Sequence, residues 1–219
     1  MTKKSDLPNI AKSVLKRLLK KSGEVIYSSH ETLKKGDIYL MGLNPGGEGF
    51  ISIEAHIDRM LERTSNSYLD EAWTNGNANW GVGQAPLQKR VTWLLEQLVK
   101  NPRDVCASNL IFETSQNADQ ISFGLAGLCW SFHESVIDIV QPRLIIAFGN
   151  GKQSSPYSFL KAIFEGEEQS FDAGHGKMLC KGFETNIDNR RTYIAGLPHL
   201  SRYDPRRNPE VITWLKRVL

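Results

Sequence analysis

The sequence predicts an α/β fold, a three-layer α/β/α arrangement with a mostly parallel, four-stranded central sheet. Four short apolar segments, partly β-branched and bounded by turn residues, read as buried strands at 37–43, 105–112, 143–148 and 192–197. Between them lie stretches with apolar residues at three- and four-residue spacing. Strands alternating with helices imply a parallel sheet covered on both faces.

Taken in order, residues 1–22 form a basic amphipathic helix with Ile10, Val14, Leu15, Leu18 and Leu19 on one face. After the first strand, 51–83 reads as an insertion or active-face loop, because 64–83 is polar and rich in Asn, Gly and Trp. Val91, Leu94, Leu95 and Leu98 mark a second helix, and Leu125–Val140 a third that stops before Gln141-Pro142. A fourth follows Ser155-Pro156, serine capping and proline in the first turn. Residues 166–190 are expected to add a short antiparallel strand or hairpin. The last helix is capped by Asn208, starts at Pro209 and turns Val211, Ile212, Trp214 and Leu215 inward.

At 219 residues the chain suits one domain, 1–219, and is short for two. A hydrophobic fraction of 40% with 23% charged residues is that of a folded globular protein. No apolar run approaches the roughly 20 residues that cross a bilayer, and no secretory signal is expected. Cys106, Cys129 and Cys180 are odd in number and widely spaced, which suggests neither a disulfide framework nor a zinc site, and places the protein in the cytosol. The net charge of +3 conceals two basic ends, 1–22 and 190–219, around an acidic middle. Such ends could flank a polyanion, although a solvated helix at each terminus accounts for them as well.

In open α/β sheets ligands bind beyond the carboxyl ends of the strands. That rule nominates the loops at Asn44-Pro45-Gly46-Gly47, Glu113-Thr114-Ser115, Gly149-Asn150-Gly151-Lys152 and Pro198-His199-Leu200-Ser201-Arg202. The Asn44 turn can bring backbone N–H groups close to an anion or a base edge, though proline and glycine after a strand are often merely a turn. Asn109, in an apolar strand, offers a donor and an acceptor as a pyrimidine edge demands; a structural amide is the alternative. His199, at the end of a central strand, is the catalytic candidate among five histidines. No histidine pair has metal spacing, and no metal or other cofactor is expected.

Gly42-Leu43-Asn44-Pro45-Gly46 resembles the first motif of the uracil-DNA glycosylase superfamily, in particular its single-strand-selective monofunctional and mismatch-specific branches. His199-Leu200-Ser201 resembles the second motif, usually His-Pro-Ser, and Asn109 falls where the base-reading asparagine of that family lies. The resemblance spans about 37–215, with Leu200 in place of the usual proline and a longer 51–83 segment. It implies DNA carrying a damaged base as partner and hydrolysis of an N-glycosidic bond after the nucleotide is flipped from the stack. Asn44 would position the attacking water and His199 would stabilise charge developing on the pyrimidine O2, the latter worth about 3 to 4 kcal/mol. Asn109 would read the base, and Trp80 or Phe50 would stack on it. Gly46, Gly47, Ser201 and Arg202 would contact phosphates, and Arg202 or Tyr203 would wedge into the gap. Three cysteines cannot hold an iron-sulfur cluster, which excludes the cluster-bearing branches.

Two other functions stay open. One is a glycosylase-like module that binds nucleic acid or a nucleobase without cleaving. The other is an unrelated α/β enzyme holding a phosphorylated ligand, for which neither a full GxGxxG nor a Walker motif is present.

Overall fold

The four apolar segments become parallel strands of one sheet in the computed structural model, which describes residues 2–219 apart from Glu48, Phe50, Asn77, Lys152 and the Asn75 side chain. The elements run α1 (Leu7–Val14), β1 (Ile38–Gly42), α2 (Ile53–Arg59), β2 (Trp73–Asn75), β3 (Ala78–Trp80), α3 (Pro86–Gln97), β4 (Cys106–Asn109), α4 (Leu125–Val140), β5 (Leu144–Phe148), α5 (Pro156–Ile163), β6 (Gln169–Asp172), β7 (Leu179–Ile187), β8 (Arg190–Leu197) and α6 (Pro209–Val218). The main sheet has the order β4-β1-β5-β8-β7-β6. Its first four strands are parallel, and β7 and β6 join antiparallel.

Alternation along β1 sends Tyr39 and Met41 into a core shared with α1, α2, α4 and α5, and Ile38 and Leu40 into a second core shared with α3 and α6. Helices therefore cover both faces. The caps behave as expected at two helices: Ser155 Oγ accepts the Ser158 N–H, and Asn208 Oδ1 accepts the Glu210 N–H.

The sheet has six strands, which corrects the expected four. β6 is largely exposed and its polar sequence carries no apolar run, whereas β7 pairs with β8 through a turn at Asp188 and Asn189, both at positive φ. The expected antiparallel hairpin in 166–190 is thus real and extends the main sheet. The helix expected over 1–22 is shorter: after Val14 the chain continues in turns, which still bury Leu15 and Leu18. The 51–83 segment is no bare loop, since it holds α2 and the two-stranded β2/β3 hairpin.

One further feature positions the site. Residues 22–28 run along the outer edge of β4. The Tyr27 N–H donates to the Ala107 carbonyl (2.8 Å) and the Glu24 N–H to the Phe112 carbonyl (3.0 Å). Ser28 Oγ accepts from the Ala107 N–H and Ser108 Oγ donates to the Val25 carbonyl. An edge that would otherwise offer free backbone groups is occupied.

Candidate active site

The carboxyl ends of the four parallel strands stand level. Gly42 is opposite Asn109, Met41 opposite Ala147, and Phe148 opposite Leu197. Asn44 and His199 each follow two residues beyond their strands, so both motifs lie on one rim. From β4 to β8 is three strand spacings, about 14 Å, and Phe148 fills the interval. Its ring lies 5.9 Å from that of His199 and 6.4 Å from that of Tyr68, edge-on to both. A Cβ on Gly42 would stand 2.2 Å from Asn109 Oδ1 and 3.0 Å from the Phe148 ring. Gly42 is therefore glycine because the amide and the ring both lie over the end of β1.

Asn44 is half-buried and its amide is anchored by nitrogen. Nδ2 donates to the Pro45 carbonyl and to Ser115 Oγ, each at 2.9 Å, with the Glu113 carbonyl at 3.4 Å. Ser115 spends its own hydrogen on the Asn117 carbonyl, so its oxygen must accept, which settles the amide orientation. Oδ1 is the atom left to accept from a ligand or water. The Gly46–Ser115 bridge and the Ser115 N–H to Pro45 carbonyl bond hold the turn against the loop after β4. Gly46 and Gly47 are exposed, Gly47 at a φ of 96°, with open space above both.

Asn109 is buried, 4% exposed, and its Nδ2 has no hydrogen-bond partner among the described residues. A buried amide donor left open costs about 1 to 3 kcal/mol, so this atom is where a ligand acceptor would be rewarded. His199 is half-buried. Its Nδ1 accepts from the Ser201 N–H (3.2 Å) and lies 2.7 Å from Ser201 Oγ. The ring proton is thereby assigned to Nε2, for which no hydrogen-bond partner is found among the described residues. Burial first and the Arg202 charge second lower its pKa, so the imidazole is neutral at neutral pH.

The loop carrying His199 is held from within. Leu200 is fully buried in the α3/α6 core, and its carbonyl accepts from Arg90 Nη1 at 2.7 Å. Side-chain burial and a guanidinium from α3 hold the loop. Ser201 and Arg202 are exposed beside it.

Tyr203 is a correction. It is fully buried and its hydroxyl donates to the Ala173 carbonyl, so it cannot wedge into DNA; its alternation in the loop gave no hint of this inward turn. Trp80 is half-buried in the β2/β3 hairpin opposite Trp73, and no ring contact among the described residues joins it to Phe148 or His199. Phe50 lies outside the described residues. Asn150 is structural, bonding the Leu179 and Gly196 carbonyls. The aromatic residues that do wall the rim are Tyr27, Tyr68 and Phe148, in contact in series. Only their strand or loop positions were legible; that they converge was not.

A cleft of about 390 Å³ opens beside the Asn44 turn, lined by Leu43, Ala118, Asp119, Ile121, Phe123 and Ser154. Another, of about 430 Å³, shares Tyr68 with the rim on the other side. Asn44, Asn109 and His199 line neither. Among the described residues no group of three or more His, Cys, Asp or Glu could hold a metal ion, and no helix is long and apolar enough to cross a membrane. Comparison with known proteins finds no family model that matches this chain and no curated protein that matches it.

Proposed function

We propose that this chain is a monofunctional DNA glycosylase of the uracil-DNA glycosylase type, hydrolysing the N-glycosidic bond of uracil or a related deaminated base. The observation that carries the reading is a pair of hydrogen-bond donors left open on one rim, Asn109 Nδ2 and His199 Nε2. A base bearing two carbonyl oxygens would satisfy both. The three-layer α/β/α description and the two motifs resembling that superfamily agree with this reading.

In the proposed reaction the flipped nucleotide seats its base against Phe148 and Asn109. Asn44 Oδ1 accepts a hydrogen bond from the attacking water and aims it at the sugar carbon. An amide cannot take up the proton, so the bond to the base must be largely broken before water adds; the water then releases its proton to solvent, and the departing base anion takes one up in its place. The electron pair of that bond leaves with the base, and neutral His199 donates from Nε2 to the oxygen where the charge collects. Ser201 holds the ring by Nδ1 and keeps that tautomer. Gly46, Gly47, Ser201 and Arg202 supply exposed donors for phosphates on either side.

Incubating the protein with single- and double-stranded oligonucleotides containing uracil, hypoxanthine or xanthine, followed by alkaline cleavage, tests this directly. Scission is expected, and Asn44→Ala and His199→Ala should each lower it by about tenfold or more. Binding without scission, indifferent to both changes, would instead establish a nucleic-acid-binding module. That second reading is favoured by one observation, the amide rather than a carboxylate at the water-positioning residue. Neither binding nor scission would discard both.

A further inference from the structure

We infer that the exposed basic segment 16–21 is a nucleic-acid contact surface, which holds phosphates of the strand where it leaves the rim on the Asn44 side. The inference rests on the reading above in taking DNA as the occupant, and it adds a surface that neither motif supplies. A basic run is ordinarily a solvated face; here its far end is built into the rim.

Residues 22–28 follow the outer edge of β4 in the antiparallel sense, which brings Ser22 and Gly23 to the carboxyl end of that strand. The Gly23 N–H donates to the Ile51 carbonyl (3.1 Å), the Thr114 N–H to the Ser22 carbonyl (2.8 Å) and the Ile53 N–H to the Lys21 carbonyl (2.8 Å). Gly49, two residues past Gly47, lies so close that a Cβ on it would stand 2.1 Å from Ser22 Oγ and 3.0 Å from Thr114 Oγ1. Lys21 Nζ meets the Glu113 carboxylate at 3.0 Å, and the Glu113 carbonyl lies 3.4 Å from Asn44 Nδ2. The basic turn and the Asn44 turn are thus packed on the same loop.

Along the rim the order is Arg202 beyond β8, Phe148 at β5, the Asn44 turn at β1, the Glu113 loop at β4, and the basic segment outside it. Four strand spacings separate the ends, about 19 Å, which a stacked strand covers in about five or six nucleotides at about 3.4 Å each. Cations therefore stand on both sides of the base site. Lys20 pairs with Glu54 and Lys21 with Glu113, while Lys16 and Arg17 are exposed and in no ion pair among the described residues. Exposed pairs are weak in water, so a phosphate can share either lysine. Lys21 also offsets Glu113, a carboxylate that would otherwise repel a phosphate beside the Asn44 turn. Leu15 and Leu18 are buried in the core. The segment thus has no apolar face to sink into a lipid surface, and a phosphodiester chain is the polyanion it fits.

The test uses the full chain and two single-stranded, uracil-containing probes, a trinucleotide and an oligonucleotide of about 20 nucleotides. Binding is measured at several salt concentrations for wild type, for Lys16→Gln with Arg17→Gln, and for Lys34→Gln with Lys35→Gln. The last two are exposed lysines before β1, at the other end of the strands. Changing Lys16 and Arg17 is expected to weaken binding of the long probe about tenfold relative to the trinucleotide. It should also lower the salt slope by about 1.4, two phosphate contacts at about 0.7 each. Changing Lys34 and Lys35 should leave the ratio within about twofold of wild type. A ratio that the first pair leaves unmoved, or that both pairs lower equally, overturns the inference and leaves base excision untouched. Should the first pair not fold, amine acetylation of the wild type decides: the long probe should protect Lys16, Lys20 and Lys21 but not Lys34 or Lys35, and loss of that contrast overturns the proposal. A wild type that binds the long probe without excising uracil removes the base-excision reading, and the same ratio still decides the surface. A wild type that does neither removes both.

Discussion

Two histidines, one on the buried face of α4 and one on the rim beyond β8, have similar electrostatics and opposite uses. Burial depresses the pKa of both, that of His133 to about 4. Both use Nδ1 as an acceptor, from the Tyr39 hydroxyl in one case and the Ser201 N–H in the other. They differ at Nε2. His133 donates it to the Leu110 carbonyl at 3.1 Å and packs its ring 4.9 Å from that of Phe112, so every polar atom is used within the protein. His199 has the same neutral tautomer and no such carbonyl. A depressed pKa thus marks burial, and the unspent donor is what marks a site.

The comparison breaks most sharply by exchange of outcomes. His199→Ala should lower excision about 100-fold, the loss of one preorganised donor, with the thermal unfolding midpoint almost unmoved. His133→Ala should do the reverse, costing about 3 kcal/mol in denaturant unfolding because a cavity opens and two buried partners lose their bonds. If His199→Ala unfolds the protein and keeps residual activity per folded molecule, the rim histidine is structural. Next in size, Gly42→Ala should cost about 1 to 3 kcal/mol and at least about tenfold in excision, since its methyl must displace Asn109 or Phe148. Matched stability and activity measurements would separate the two effects.

The pH response sharpens the contrast further. His133 and His56, held near about 4 and about 3, bind protons more readily when unfolded, so their contribution to stability is full above the unfolded histidine range near 6.5 and is lost as pH falls. Glu24 works the other way. Burial first raises it to about 7 against the pull of Arg63, so the folded state holds its proton from about 4.5 to 7 and its contribution is lost as pH rises through that window. Between about pH 5 and 6 these three groups leave the unfolded chain one proton ahead, a slope of about 1.4 kcal/mol per pH unit. Glu24→Gln should roughly double that slope, which unfolding curves at two or three pH values would show. The smallest effect is expected at Tyr203→Phe. Losing the bond to Ala173 should cost about 1 kcal/mol with excision unchanged, and an activity loss would return Tyr203 to the DNA-binding surface.

Much of the frame was legible because it follows from local chemistry. The apolar runs around Ile38, Ile145 and Ile194 must be buried, and alternation with helical periods makes them parallel. Asn44 and His199 were nominated by their places beyond strand ends and Asn109 as an amide within an apolar strand; the structure ends that strand at Asn109 and brings the strand ends to one level. Other features follow from no local rule. β6 is polar and exposed, so nothing in Gln169–Asp172 announces a strand. Leu200, in a polar loop beyond a strand end, turns into the core, and Tyr203 follows it inward.

By itself the sequence determined the four parallel strands, most of the helices that cover them and a short list of polar residues near their ends, because periodicity and turn chemistry act over a few residues. Only the tertiary structure decided which of those polar atoms stay unpaired. The partners that satisfy Asn44 and orient His199 are Ser115 and Ser201, and the first arrives from a distant part of the chain. Hydrogen-bond accounting closes over space, and sequence distance carries no trace of it.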